Sequence, residues 1–167
     1  LPISKPVLAS VHGAVAGAGV SLMLAADLAL AAEGTRFTLA YSKIGASPDG
    51  GATYFLPRSV GHRKALELML LADSFDAGAA LAMGLVNRVV TADALQEETE
   101  QLARRLARGP TAAYMETKRL VRYGHDRTLE AHLEDEVEAF AKCAGTRDFA
   151  EGVTAFVEKR KPEFEGK

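Results

Sequence analysis

The chain has 167 residues, enough for one domain or one and a fraction and enough to bury a core without disulfides or metals. Twenty Lys and Arg against 22 Asp and Glu leave a net charge of −2, which excludes the strongly basic face of a nucleic-acid module and gives no attraction to an anionic membrane. A single cysteine, Cys143, can make neither an internal disulfide nor a multi-thiolate metal site and fits a reducing, cytoplasmic setting.

Residues 1–6 lack the basic-then-apolar order of a signal peptide, and the abrupt start reads as a chain that begins partway into a larger protein. Residues 7–11 form a short apolar run, read as a buried strand ending at His12-Gly13. Gly13, Gly17 and Gly19 then make a glycine-rich turn from which a helix opens through residues 22–26. The apolar stretch 14–32 is near the minimum length for a membrane span. Its glycines, its alanine-rich bulk, Ser21 and Asp27 favour a buried helix followed by a second strand over 28–32. The turn 33–35 leads into an extended piece at 37–39, and strand, helix and strand in so short a span predict an α/β fold with parallel strands.

Ser47-Pro48 reads as an N-cap and first helical residue, which places Asp49 in the first turn of a helix through Leu56, broken by Pro57 and Gly61. Residues 62–71 predict a third helix, with Ala65, Leu68, Met69 and Leu71 on its buried side. Asp76 caps a helix over 77–83 that Gly84 ends, and 85–90 reads as a strand. From Ala94 the pattern is helical alone, with segments through Leu106, over 111–123, 129–143 and 148–159. The division is thus an α/β part, residues 1–90, and a helical region, residues 91–167.

Two features could carry chemistry. The glycine-rich turn lets backbone approach a ligand, and the helix behind it points free N–H groups at a phosphate, a carboxylate or a developing oxyanion; the same glycines would also serve close helix–strand packing. Asp49 at a helix start is either a general base or a residue that complements the helix dipole. His12, His62, His125 and His132 are scattered, so no metal site is expected, and no serine stands in a Gly-x-Ser-x-Gly elbow. Arg58, Arg63 and Lys64 crowd a helix start, as a solvated face or a phosphate contact.

Residues 5–19 (Lys-Pro-Val-Leu-Ala-Ser-Val-His-Gly-Ala-Val-Ala-Gly-Ala-Gly), 25–29, 47–53, 82–87 and 151–160 together resemble the crotonase (enoyl-CoA hydratase/isomerase) superfamily, in order and over essentially the whole chain. The resemblance implies an α/β crotonase-like core, a spiral of ββα units lacking its N-terminal part, followed by a helical trimerisation region. It implies an acyl-CoA thioester substrate with no separate cofactor, because coenzyme A is part of that substrate. A homotrimer or a dimer of trimers is implied, with no nucleic-acid or membrane partner.

In such proteins two backbone N–H groups hold an enolate oxygen. By position one is that of Ala18, between Gly17 and Gly19. The other comes from an earlier loop that has no counterpart in these residues. Hydratases of the family use two glutamates, and the matching positions here are Ser21 and Tyr41, neither a carboxylate. Asp49 matches the aspartate of double-bond isomerases, and residues 42–51 resemble the phenylacetate-pathway branch that isomerises a ring epoxide or shifts a 3-enoyl-CoA to a 2-enoyl-CoA. Tyr41, Phe140, Phe156 and Lys159, with Gly17 and Gly19, are the substrate and CoA contacts that the resemblance implies; Phe140 and Phe156 equally suit a core. A catalytically silent acyl-CoA-binding or assembly subunit and a hydratase with atypical residues stand as alternatives. A dehalogenase using Asp49 as nucleophile would need a tryptophan, and the chain has none.

Overall fold

The computed structural model describes residues 3–167; residues 1 and 2, with which the α/β part was expected to begin, lie outside the described residues. Two compact units divide the chain, Val7–Gln101 and a second made of residues 3–6 with Leu102–Lys167.

In the first unit the chain lays down strands in pairs. β1 (Leu8–Val11) and β2 (Ala14–Ala16) are followed by α1 (Ala18–Ala25), and β3 (Leu28–Ala32) and β4 (Arg36–Thr38) by α2 (Ala52–Val60) and α3 (His62–Leu71). β5 (Phe75–Asp76), α4 (Ala77–Ala82) and β6 (Arg88–Val90) complete two three-stranded sheets, ordered β1-β3-β6 and β2-β4-β5. Each ββα unit therefore gives one strand to each sheet. β1 pairs β3 in parallel with Leu8 opposite Leu28, and β2 pairs β4 in parallel with Val15 opposite Phe37. β3 and β6 are parallel and β4 and β5 antiparallel.

β3, the central strand of its parallel sheet, carries a continuous apolar run, and its Leu30 and Ala31 are fully buried. Phe37 is also fully buried and stacks on Phe75 with ring centroids 5.4 Å apart. The stretch 14–32 is divided among β2, α1 and β3, and no helix among the described residues is long and apolar enough to cross a membrane.

Several expected elements differ. β2 replaces part of the glycine-rich turn. The helix expected from Ser47 begins at Ala52 instead, because Gly50 and Gly51 both take left-handed backbone, φ 60° and 88°, and Gly51 becomes the N-cap. Asp49 thus lies ahead of the helix and not in its first turn. Pro57 is inside α2 rather than at its end, and Gly61 ends it. Leu71 is 62% exposed, unlike Ala65, Leu68 and Met69, which are buried as expected.

Only the second half of 85–90 is strand. Leu85 and Val86 are buried as loop, and Asn87 bridges to β3, its N–H donating to the Ala29 carbonyl and its Oδ1 accepting from the Ala29 N–H, both at 2.8 Å. Asp76 caps α4 as expected, accepting from Ala79 N at 2.8 Å, a contact that contributes about 1 kcal/mol.

α5 (Leu95–Ala107) crosses the boundary between the units. Its first half is tied to the strands: Leu95 is buried, Thr99 Oγ1 lies 3.0 Å from Ser10 Oγ, and Glu98 pairs with Arg88 at 3.3 Å. The second unit holds α6 (Thr111–Tyr123), α7 (Leu129–Ala144) and α8 (Arg147–Glu158). Thr128 and Thr146 cap α7 and α8, accepting from Ala131 N and Phe149 N. Buried Asp148 accepts from Glu165 N at 2.8 Å and Gly166 N at 2.9 Å, which fixes the C-terminal residues to α8.

Candidate active site

Gly17 is the N-cap of α1 with φ 50°, a conformation that favours glycine, and its N–H donates to Thr38 O of β4 at 2.9 Å. The first N–H groups to bond back to its carbonyl are those of Val20 at 3.0 Å and Ser21 at 3.2 Å. The N–H groups of Ala18 and Gly19 come ahead of that first bond, as first-turn donors do, and carry the positive end of the helix dipole. A Cβ on Gly17 would lie 3.8 Å from Tyr41 Cζ, so the turn and the tyrosine ring are neighbours.

Tyr41 follows β4 and precedes a single 3₁₀ turn, Ser42–Ile44. Its side chain is buried, and its hydroxyl donates to Asp49 Oδ1 at 2.6 Å. Fully buried Ser21, one turn into α1, lies 3.2 Å from the Tyr41 hydroxyl and donates to the Asp49 carbonyl at 2.9 Å. That carbonyl also accepts from Ala52 N at 3.2 Å. Gly50 completes the closure, since a Cβ there would stand 2.9 Å from Ser21 Cβ.

Asp49 itself is exposed, and its Oδ2 has no hydrogen-bond partner among the described residues. The contact expected with a helix start is replaced by one with a phenol. The fold therefore brings together Gly17, Ser21, Tyr41 and Asp49, residues that span 32 positions of sequence, beside the α1 amides of Ala18 and Gly19. Such a group can hold negative charge at backbone N–H groups and accept a proton at one carboxylate oxygen.

Phe140, Phe156 and Lys159 belong to the helical unit. Phe140 on α7 is 66% exposed and meets Phe149 edge-on at 5.8 Å. Phe156 on α8 is 85% exposed, so neither phenylalanine is core. Phe156 lines an apolar cleft of about 340 Å³ with Pro110, Cys143, Phe149, Val153 and Phe164. Lys159 is the C-cap of α8 in left-handed backbone, φ 55°.

The basic residues near α2 are engaged locally: the Arg58 guanidinium lies 3.6 Å over the Tyr54 ring and Lys64 pairs with Glu67 at 2.8 Å. Among the described residues no three His, Cys, Asp or Glu side chains are grouped as metal ligands would be. The contacts of Ser21 and Tyr41 with Asp49 were not foreseen from sequence. The only signal was that both stand where relatives carry acids.

Paired strands alternating with helices form an α/β unit in which a helix N-terminus adjoins a tyrosine that holds one carboxylate. The enoyl-CoA hydratase/isomerase family profile matches residues 1–167, and the chain belongs to that family. It is 41% identical over 162 residues to a protein named a probable enoyl-CoA hydratase in Rhodobacter capsulatus, covering 97% of this chain and 63% of that protein. It is 38% identical over 165 residues to the 1,2-epoxyphenylacetyl-CoA isomerase of Escherichia coli, covering 99% and 63%. The crystal structure of an enoyl-CoA hydratase from Polaromonas superimposes with a TM-score of 0.93 at 35% identity, over 98% of this chain and 64% of that one.

The fold is thus the crotonase fold, and the chain spans about 63% of the length of the curated relatives it matches. Hydratases and isomerases stand at similar identity, so the phenylacetate branch is one relative among several.

Proposed function

We propose that the chain carries the proton-transfer site of an acyl-CoA isomerase, with Asp49 as its acid/base. The observation that supports this most is the pairing of a single exposed carboxylate, held through Oδ1, with α1 amides at the adjoining glycine turn. Asp49 takes a proton from C2 of a β,γ-unsaturated thioester. The C2–H electron pair moves into a dienolate whose oxygen is held by the Ala18 N–H and by a second donor outside these residues. The protonated carboxyl then gives its proton to C4, and the double bond lies between C2 and C3. A proton moves and no electrons are exchanged, so the reaction calls on neither a metal nor a redox cofactor.

Water addition draws support from the hydratases among the relatives, but the usual two-acid mechanism needs carboxylates where this chain has Ser21 and Tyr41. Ser21 is fully buried, and a Cβ on Gly50 would stand 2.9 Å from its Cβ. Exposed Phe140 and Phe156 and residue Lys159 are proposed to contact the CoA portion, and the apolar side chains left open on α7 and α8 support assembly with further copies as a homotrimer.

The test is isomerisation of a 3-enoyl-CoA by the complete protein and by Asp49→Asn. The asparagine variant is expected to lose a factor on the order of 10²–10⁴ in turnover. Full activity in the variant would exclude Asp49 as the base. An inactive parent protein would favour the acyl-CoA-binding subunit instead.

A further inference from the structure

We propose that Tyr41 is a positioning residue that occupies Oδ1 of Asp49 and leaves Oδ2 as the single oxygen that carries the proton. This rests on the reading of Asp49 as acid/base and adds which of its atoms acts. Tyr41 and Ser21 each have one hydroxyl proton to give. An ionised carboxylate only accepts, so the Tyr41 proton goes to Asp49 Oδ1, and 2.6 Å is the short separation of an O–H bonded to a charged oxygen. The shortest acceptor contact of Ser21 Oγ is the Asp49 carbonyl, at 2.9 Å against 3.2 Å to the Tyr41 hydroxyl and 3.5 Å to the Gly17 carbonyl. One hydroxyl thus fixes the side chain of Asp49 and the other its backbone.

Neither hydroxyl can swing away freely. Ser21 is fully buried under Gly50, and the Tyr41 ring is buried against Gly17. The carboxylate plane is held at both its backbone and its Oδ1, while Oδ2 stays open. A proton taken from C2 therefore resides on Oδ2 and is returned to C4 by the same atom: C2–H breaks as Oδ2–H forms, then Oδ2–H breaks as C4–H forms. Transfer by one fixed oxygen keeps the proton on one face of the substrate and favours its return over exchange with water.

The experiment uses the complete protein and a 3-enoyl-CoA deuterated at C2, with product analysed for deuterium at C4. Tyr41→Phe keeps the ring and removes the hydroxyl. It is expected to lower kcat roughly 10- to 100-fold with KM changed by no more than about twofold, because a hydrogen bond to a charged group is lost while substrate binding is kept. The fraction of label transferred from C2 to C4 is expected to fall with it. On an Asp49→Asn background the same substitution is expected to cost nothing further, since its effect runs through that carboxylate.

Unchanged kcat and label transfer in Tyr41→Phe would overturn the proposal, as would an equal loss on the Asp49→Asn background, which marks a merely structural role. Should Tyr41→Phe not fold, Ser21→Ala is expected to reduce label transfer, and unchanged transfer there overturns the proposal equally. Full isomerase activity in Asp49→Asn alone is a separate result that removes the acid/base reading itself.

Discussion

The α/β unit takes in part of its large apolar side chains and leaves Leu22, Ile44, Leu70 and Leu71 exposed. Phe37, Leu39 and Leu56 are fully buried, and strand register sets Phe37 opposite Val15. In the helical unit their counterparts stay out: Phe140, Phe156 and Val157 are 66%, 85% and 73% exposed, and the groups buried there include Asp148 and Glu116. One unit is closed by apolar contacts between distant strands. The other adds polar contacts, such as the Glu116–Arg119 pair at 2.9 Å within α6 and the grip of Asp148 on the chain end, to the edge-on contact of Phe140 with Phe149. Periodicity in α8 thus marks an apolar face without saying that the chain itself covers it.

Substitutions sharpen this contrast. Phe37→Ala in the α/β unit empties a fully buried, stacked position and is expected to cost about 3–5 kcal/mol in chemical denaturation. Gly50→Ala forces a Cβ into left-handed backbone and to within 2.9 Å of Ser21 Cβ; a loss of about 1–3 kcal/mol, with displacement of Asp49 and a fall in turnover, is expected. In the helical unit the polar substitution Asp148→Ala leaves two backbone donors without their acceptor and is expected to cost about 1–3 kcal/mol, read as earlier thermal unfolding. Phe156→Ser, although it removes an aromatic ring, is expected to change stability by no more than about 0.5 kcal/mol. A large loss at Phe156 in dilute monomeric protein would break the comparison.

The helical unit also has the molecule's clearest electrostatic signature. The Arg160 guanidinium, hydrogen-bonded at 2.6 and 2.8 Å, and then the Glu163 N–H at 2.8 Å hold the Glu151 carboxyl down at about 2 from an ordinary 4.5, and the same contact raises Arg160. A lowered carboxyl contributes its stabilisation above the ordinary carboxylate range and loses it as pH falls through about 2. A carboxyl-carbon NMR titration of Glu151 is expected to show a midpoint near that value, and Arg160→Gln to return it toward the usual range.

What could be read from sequence follows the range of the interactions involved. α3, α4 and α6 to α8 were legible because their periodicity and, for α4, the Asp76 cap act within a turn or two. β2 was not, because three residues of Ala-Val-Ala become a strand only through pairing with Arg36–Thr38. Ser47-Pro48 looked like a helix start because both residues suit one, and the consecutive left-handed glycines after Asp49 overrode it. The site was legible in part. Gly17, Ala18, Ser21, Tyr41 and Asp49 were each singled out, but the hydrogen bonds that join Tyr41 and Ser21 to Asp49 cross 8 and 28 positions and leave no local pattern. The phenol at position 41 read as a missing acid when its structural contact is to the acid that is present.

The most direct measurement is the mass of the product formed when the complete protein is incubated with a 3-enoyl-CoA. One carboxylate acting as both base and acid predicts a product of unchanged mass with its double bond moved to C2–C3. A product heavier by one water as the primary outcome would contradict single-acid isomerisation at Asp49.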